Sequence, residues 1–434
     1  MLEFDPATTP DKSRHSWDLY TRRNRSVFLL ILFAVGTSNY VDRNIIGVLL
    51  EGIKAEFHVS DTLLGLLTGM SFALFYVVFG IPVARWADRG NRRHVITISV
   101  LIWSFLTVLC GSAHTFWQLV AARFGVGAGE AGAIPPAQSL LADYYPPQDR
   151  ARAIGVFMTS GAAGYAIGLV LGGFVAQNYG WRAAFEVVGC AGFALAPLTN
   201  FFLIEPRETS QPKRLTDNCE SIYAAMHALF AKPAYRNVVM ALVIYFLVAY
   251  GALVFIVSFM MRFHKLRVSQ AGTIYGVVST IGSLVGSVWG GALADRLARR
   301  DVAWLGRFAG VGLIVALPLY ELTLSLSGIL AMTVALLLAT VLLTAVVPAM
   351  FSSLHLVCGS TRRALAVAIA LFFANLIGLG FGPLIAGALS DRFGITYGPG
   401  DGLRYALMFV IPALLPAGLL MLRAAKYLRS DAED

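Results

Sequence analysis

Twelve long apolar stretches, each set off from the next by a short charged or Gly/Pro-bearing turn, leave this chain few ways to fold. They run over residues 26–51, 62–84, 94–112, 116–142, 152–177, 183–204, 237–261, 270–294, 303–323, 328–356, 363–389 and 403–425. A helix that crosses the hydrocarbon core needs about 20 mostly apolar residues. The apolar residues run all round each stretch instead of alternating, which argues for helices and against the strands of a membrane barrel. Several stretches exceed 25 residues, so they tilt, curve or project beyond the bilayer. Only 14% of the residues are charged, against about 25% in a soluble domain. The expected fold class is an all-α membrane protein with 12 transmembrane helices.

Lysine and arginine orient the chain. Of 34 such residues, only Lys54, Arg182, Arg262, Lys265, Arg267, Arg392 and Arg404 fall on one side of the predicted bundle, and Arg43 and Arg123 fall within helices. The rest lie on the side that carries both termini. The positive-inside rule then predicts cytoplasmic termini for a multi-pass protein of the inner or plasma membrane. The net charge of +9 is thus a topology signal; nucleic-acid binding would need a basic face on a folded soluble domain. The first 25 residues are polar, without a short apolar core followed by small residues, so no cleavable signal peptide is expected. The expected organisation is a cytoplasmic tail (1–25), a six-helix bundle (26–204), an interdomain loop (205–236), a second six-helix bundle (237–425) and a tail (426–434). Within the loop, Ser221–Leu229 reads as a short surface helix.

Internal similarity supports the division into halves. After the second stretch the chain reads ARWADRGNRR (84–93), and after the eighth GALADRLARR (291–300). Arg152-Ala-Ile-Gly-Val opens the fifth stretch and Arg363-Ala-Leu-Ala-Val the eleventh. Two parallel six-helix repeats form a transporter architecture, with a site at their interface and one half rocking against the other. The repeated GxLADRxxRR pattern resembles the signature of the major facilitator superfamily, and the resemblance covers essentially the whole chain. The first copy departs from it with Ala84 in place of Gly and with Gly90 shifted. The resemblance implies two pseudo-symmetric bundles and a charge network that closes the cytoplasmic side, here Arg85, Asp88, Arg89, Arg92, Asp295 and Arg296.

Four ionisable residues fall inside predicted helices: Asp42 and Arg43 in the first, Arg123 and Glu130 in the fourth. A charge at mid-bilayer costs about 2.5–3.5 kcal/mol on insertion scales unless it is paired or faces water. Arg123 and Glu130 are seven residues apart, so they share a helix face at a separation of about 10 Å. At a rise of about 1.5 Å per residue, Asp42 falls between them in depth. If the two helices are neighbours, two acids and two bases make a balanced cluster. One reading is a proton-coupling and anion-binding site, since burial and a nearby guanidinium pull a carboxylate's protonation in opposite directions. The other is a salt-bridge network that locks the N-terminal half.

The residues around these charges, Asn39-Tyr40-Val41-Asp42-Arg43 and Arg123-Phe-Gly-Val-Gly127-Ala-Gly129-Glu130, are similar to the Spinster-type branch of the superfamily. That resemblance implies proton-linked movement of lysolipids such as lysophospholipids or sphingosine phosphate, with Asp42 and Glu130 as protonation sites and Arg43 at the charged headgroup. The same elements also resemble the anion:cation symporter branch, which implies a sugar acid or other carboxylate. Arg123, Asn39, Tyr40 and Tyr76 complete the expected N-terminal wall of the substrate site. Tyr245, Tyr250, Phe372 and Asn375 supply an uncharged, aromatic C-terminal wall suited to a hydrocarbon tail. Gly164, Gly168 and Gly172 form a stripe for close helix packing, and Gly180-Trp181-Arg182 is expected to anchor the sixth helix at the interface. No Ser/His/Asp set supports an enzyme. Neither the cysteines nor the histidines show metal-ligand spacing. The expectation is a monomer in the bilayer that moves a small-molecule or lysolipid substrate with protons as coupling ion, with no other cofactor and no nucleic-acid partner.

Overall fold

A computed structural model describes residue 17, residues 20–206 and residues 222–433; the side chains of residues 81, 88, 222–225, 360, 361 and 364 lie outside the described set. Most of the expected tail 1–25 up to residue 19, and residues 207–221 of the interdomain loop, fall outside it too. The chain crosses the bundle twelve times. We label the passes α1 (Arg22–Phe57), α2 (61–89), α3 (Arg92–Gly111), α4 (116–144), α5 (147–179), α6 (181–202), α7 (Pro233–Phe263), α8 (Val268–Ala298), α9 (Ala303–Ser325), α10 (Ile329–Val357), α11 (359–397) and α12 (399–425). The surface helix expected near 221–229 is present as Ile222–Ala231.

Among the described residues, eight helical stretches are long and apolar enough to cross a membrane, and two of these, Pro147–Phe202 and Leu365–Ala425, are double passes. Each reverses at one glycine in the same left-handed conformation: Gly180 at φ 85°, ψ 166° and Gly398 at φ 82°, ψ 166°. A side chain at either position would be strained, so glycine makes the turn without a loop. The remaining two passes are interrupted by polar chemistry. Asp42 and Arg43 sit inside α1, and α4 breaks at 131–133, ahead of Pro135 and Pro136. They are the two helices that carry the four internal charges.

Glycine also sets the packing inside the N-terminal half. Cβ atoms at Gly164, Gly168 and Gly172 would meet Tyr40, Val41 and Ile45, so α5 lies backbone-close on α1 as the stripe predicts. Trp181 departs from its expected role. It is 6% exposed, its Nε1 donates to Glu56 Oε2 (2.7 Å), and Arg182 donates to Glu56 Oε1 (2.5 Å) and to the carbonyls of Gly111 and Ala113. The pair ties α6 to the ends of α1 and α3 instead of facing the lipid interface. The expected tail 426–434 is also packed: Leu428 is buried, Asp431 accepts from the Ala234 N–H (2.8 Å) and Glu433 pairs with Lys232 (2.5 Å).

The halves meet at the face opposite the termini, here called the far face. Single π turns interrupt α2 at Leu66–Met70 and α11 at Ala374–Leu379. There a Cβ at Gly65 would collide with the Pro383 backbone, one at Gly69 with Leu379 and one at Gly387 with Asp61. Between α5 and α8, the Tyr165 hydroxyl donates to that of Tyr275 (3.2 Å) and Gln177 accepts from the Ser269 N–H (3.3 Å).

Candidate functional site

The structure brings the four internal charges together as two ion pairs. Arg43 donates to Glu130 Oε2 through Nη2 (3.0 Å) and Nε (3.3 Å). Arg123 Nη1 lies 3.6 Å from Asp42 Oδ1, and Thr107 Oγ1 donates to Asp42 Oδ2 (2.9 Å). The pairing joins α1 to α4, with α3 in support, because α4 rises past α1 with its two charges two turns apart on one face. Asp42 and Glu130 are also within electrostatic reach of each other and of each other's arginine.

The two pairs differ in access. The Glu130 side chain is fully buried, and those of Asp42 and Arg123 are 1% exposed, whereas Arg43 is 17% exposed. One oxygen of each acid, Asp42 Oδ1 and Glu130 Oε1, has no hydrogen-bond donor. Arg123 is therefore the counter-ion of Asp42, and it is buried in this structure. The Asn39 amide is completely buried as well, with neither atom hydrogen-bonded.

Aromatic rings surround the accessible guanidinium. The Arg43 Cζ lies 4.6 Å from the Phe72 ring centroid, 4.9 Å from Tyr76 and 5.7 Å from Tyr40. Such cation–π contacts hold a guanidinium without neutralising it, at about 0.5–2 kcal/mol each. Tyr250 on α7 reaches the same group from the C-terminal half: it lies within electrostatic range of Arg43, Tyr40 and Tyr76. Tyr76 and Tyr250 pack on a small cluster of Phe72, Ala73 and Leu379 that joins α2 to α11. Tyr245 is buried deeper in the C-terminal half, edge-on to Phe246. Phe372 is exposed and set against Phe373, and Asn375 lies half-buried in the π turn of α11.

The far face carries a network the sequence reading left out. Arg262 of α7 donates to Asp61 at the start of α2 through Nη1 (2.6 Å) and Nη2 (2.7 Å), and its Nε donates to both Glu51 oxygens of α1 (3.0 Å each). Asp61 also accepts from Lys54 and from Ser390 of α11, both at 2.6 Å. Asp391 returns the contact, accepting from the N–H groups of Asp61 (2.9 Å) and Thr62 (2.8 Å). A signal was available: Ser390 and Asp391 belong to GALSDR (387–392), a third relative of the repeated loop pattern. Phe72 and Thr107 carried no such signal, being ordinary members of apolar runs.

Of the expected charge network at the other end, the described residues show no ion pair between Arg85 or Arg89 and Asp295. Arg85, Arg89, Asp295 and Arg296 are exposed, and the side chain of Asp88 lies outside the described residues. Arg92 is buried within the N-terminal half, where it pairs with Glu205 (2.5 Å) and Asp143 (2.7 Å).

Comparison with known proteins accords with this geometry. The sequence profile of the Major Facilitator Superfamily matches residues 32–378. An MFS-type efflux pump of Mycolicibacterium smegmatis is 31% identical over 93% of this chain and 94% of its own. Protein spinster homolog 1 of Xenopus tropicalis is 24% identical over 97% of this chain and 84% of its own. Crystal structures of a bacterial homologue of the human lysosomal transporter Spinster, inward-facing, are 30% identical over 96% of this chain and 100% of theirs, with TM-scores of 0.85 (occupied) and 0.86 (unoccupied). Twelve passes in two halves, buried charge pairs on α1 and α4 and these relatives lead to one assignment: the chain belongs to the Major Facilitator Superfamily of multi-pass membrane transporters, in its Spinster-like branch.

Proposed function

We propose that this transporter moves an amphipathic lipid with an anionic or zwitterionic head, of lysophospholipid or sphingosine-phosphate type, by alternating access coupled to protons. The observation that carries the reading is the asymmetry of the two ion pairs. Arg43 alone has a partly exposed guanidinium, a forked donor suited to phosphate or carboxylate, and its partner Glu130 is sealed behind it. A cargo anion that takes over Arg43 leaves Glu130 without its counter-ion in a dry site. An unpaired buried carboxylate is costly, and taking a proton removes that cost. Cargo binding and protonation are linked through this exchange, and Asp42 is the second acid within reach. The uncharged wall of Tyr245 and Tyr250 gives a hydrocarbon tail an apolar neighbour.

The arginine-rich terminal face supports cytoplasmic termini in an inner or plasma membrane. The far-face network then closes the outside, and the exposed Arg85, Arg89, Asp295 and Arg296 assemble when the inside closes. A sugar acid or other carboxylate offers Arg43 the same charge, and an organic-anion:proton symporter is the second reading. Proteoliposome transport of labelled lysolipid against a labelled sugar acid, at several pH values, separates the two. We expect saturable lysolipid movement that depends on a pH gradient and loses that dependence in Glu130→Gln and Asp42→Asn. Gradient-driven movement unchanged in both variants refutes the coupling, and sugar-acid transport alone replaces the lipid reading.

A further inference from the structure

A cavity of about 390 Å³ opens on the face that carries the termini, between the first turns of α1 and the connection from α4 to α5. Three arginines line it, Arg22, Arg25 and Arg152, against the single carboxylate of Asp149; Leu29, Ala153 and Val156 supply its apolar lining. Arg25 is held in place: its Nη2 donates to the Trp17 carbonyl (2.6 Å), the Tyr145 hydroxyl donates to the Arg25 carbonyl (2.8 Å), and its Nε is buried without an acceptor. Arg22 and Arg152 are exposed. Among the described residues, the cavity therefore presents three guanidinium groups to one carboxylate.

Its depth suggests the ligand. The apolar run of α1 begins at Val27, directly after Ser26 of the cavity wall, and Leu30 and Val156 beside it are exposed apolar side chains. The arginines thus stand where hydrocarbon gives way to headgroups. One helical turn past Leu29, Phe33 begins a second cavity of about 510 Å³, walled almost wholly by apolar residues such as Val41, Leu171 and Val188 of α1, α5 and α6. A free phosphate ion has use for the first cavity alone, whereas a phospholipid has use for both. Basic pockets at this level attract phospholipid head groups at about 1 kcal/mol per arginine, roughly a factor of five.

We propose that this cavity binds the phosphate headgroup of an anionic membrane lipid, with an acyl chain directed along α1 toward the apolar cavity. The site is separate from the central charge pairs, and the proposal is independent of what the transporter carries. The test uses the full-length protein in nanodiscs of phosphatidylcholine with or without phosphatidylglycerol, with retained lipid counted by native mass spectrometry and inorganic phosphate added as competitor. We expect phosphatidylglycerol to be retained at about one per chain. The double variant Arg22→Gln/Arg152→Gln should weaken that retention by about 25-fold, and Asp149→Asn should strengthen it severalfold. Unchanged melting in phosphatidylcholine alone shows that the double variant is folded; if it is not, the direction of the Asp149→Asn effect decides. Equal retention by wild type and variants overturns the proposal. Displacement of the lipid by inorganic phosphate at comparable concentration does so too, by reducing the site to one for a free anion.

Discussion

Arg262 is the residue on which the closed far face depends most, and its removal gives the sharpest test of the two-state reading. Its guanidinium is 9% exposed and gives two bonds to Asp61 and two to Glu51, so it joins α7 to both α1 and α2. Breaking a buried ion pair by deleting one partner costs about 3–5 kcal/mol. Asp61 keeps Lys54 and Ser390 at 2.6 Å after the deletion, so we take the lower end, about 3 kcal/mol. These contacts exist only while α1, α2 and α7 are together, so the cost falls on the state closed at the far face. A shift of about 3 kcal/mol changes the ratio of the two states by roughly 150-fold. A cysteine placed at Leu379, 5% exposed beneath the junction of α2 and α11, reports the change through its labelling by a membrane-impermeant maleimide. With fast exchange the rate follows the open population, so Arg262→Ala should raise it by up to two orders of magnitude, and Arg262→Lys should fall between. A rise below about threefold in a folded Arg262→Ala protein, on a scale where 1.4 kcal/mol is tenfold, refutes the claim that this network holds the far face shut.

Other predictions concern the same contacts and their neighbours. Gly387→Ala puts a methyl into the Asp61 backbone and should open the far face as Arg262→Ala does, whereas Gly80→Ala, with nothing near its Cβ, should leave labelling at Leu379Cys unchanged. Thr107→Val removes the hydroxyl that donates to Asp42 and should lower stability by about 1.5–3 kcal/mol, the range for a bond to a charged group, as measured by chemical denaturation in detergent. Arg429 and the Ala303 N–H draw the Asp301 carboxyl down to about 2. A depressed value means that the contact is complete above the ordinary carboxylate range and is lost only as pH falls through about 2. Hydrogen exchange over 427–433 should therefore stay slow, after correction for intrinsic rates, at pH 4, and quicken in Arg429→Gln; release of the segment at pH 4 contradicts the assignment.

The sequence exposes the twelve passes because burial in lipid demands long apolar runs, and that demand is local. It exposes the four internal charges for the same reason: each is an exception to a rule the rest of its helix obeys. What it hides is pairing. Nothing along the chain says that Arg43 chooses Glu130 while Asp42 chooses Arg123, since both choices depend on the rotation of α4 against α1. The apolar run of α11 ends at 389 although the helix continues to 397, because Ser390, Asp391 and Arg392 look like loop residues. They are polar because two of them reach across to α2. Lys54 and Arg262 look like topology charges by the same logic, as a helix end rich in charge has one appearance whether its partners are water or the other half.

Sorting the ion pairs by which half they join explains why the working charges sit where they do. Asp42, Arg43, Arg123 and Glu130 all belong to the N-terminal half, as do Arg92 and Asp143, with Glu205 at the first residue of the interdomain loop. Arg262 with Glu51 and Asp61 crosses between halves. A pair within one rigid half survives the rocking of that half, so its charges stay compensated in either state and need not be desolvated anew in each cycle. A pair between halves must break, and its cost belongs to the barrier and to the balance of states. A cluster proposed to bind and couple therefore belongs inside a half, and pairs proposed to gate belong between halves. Arg43 and Tyr250 are where the two systems meet: the arginine is tied to Glu130 within its own half, while the tyrosine approaches it from the other. On the proposed mechanism, cargo that displaces Glu130 from Arg43 changes a charge that Tyr250 of the opposite half faces, which would link the occupied site to which face is open.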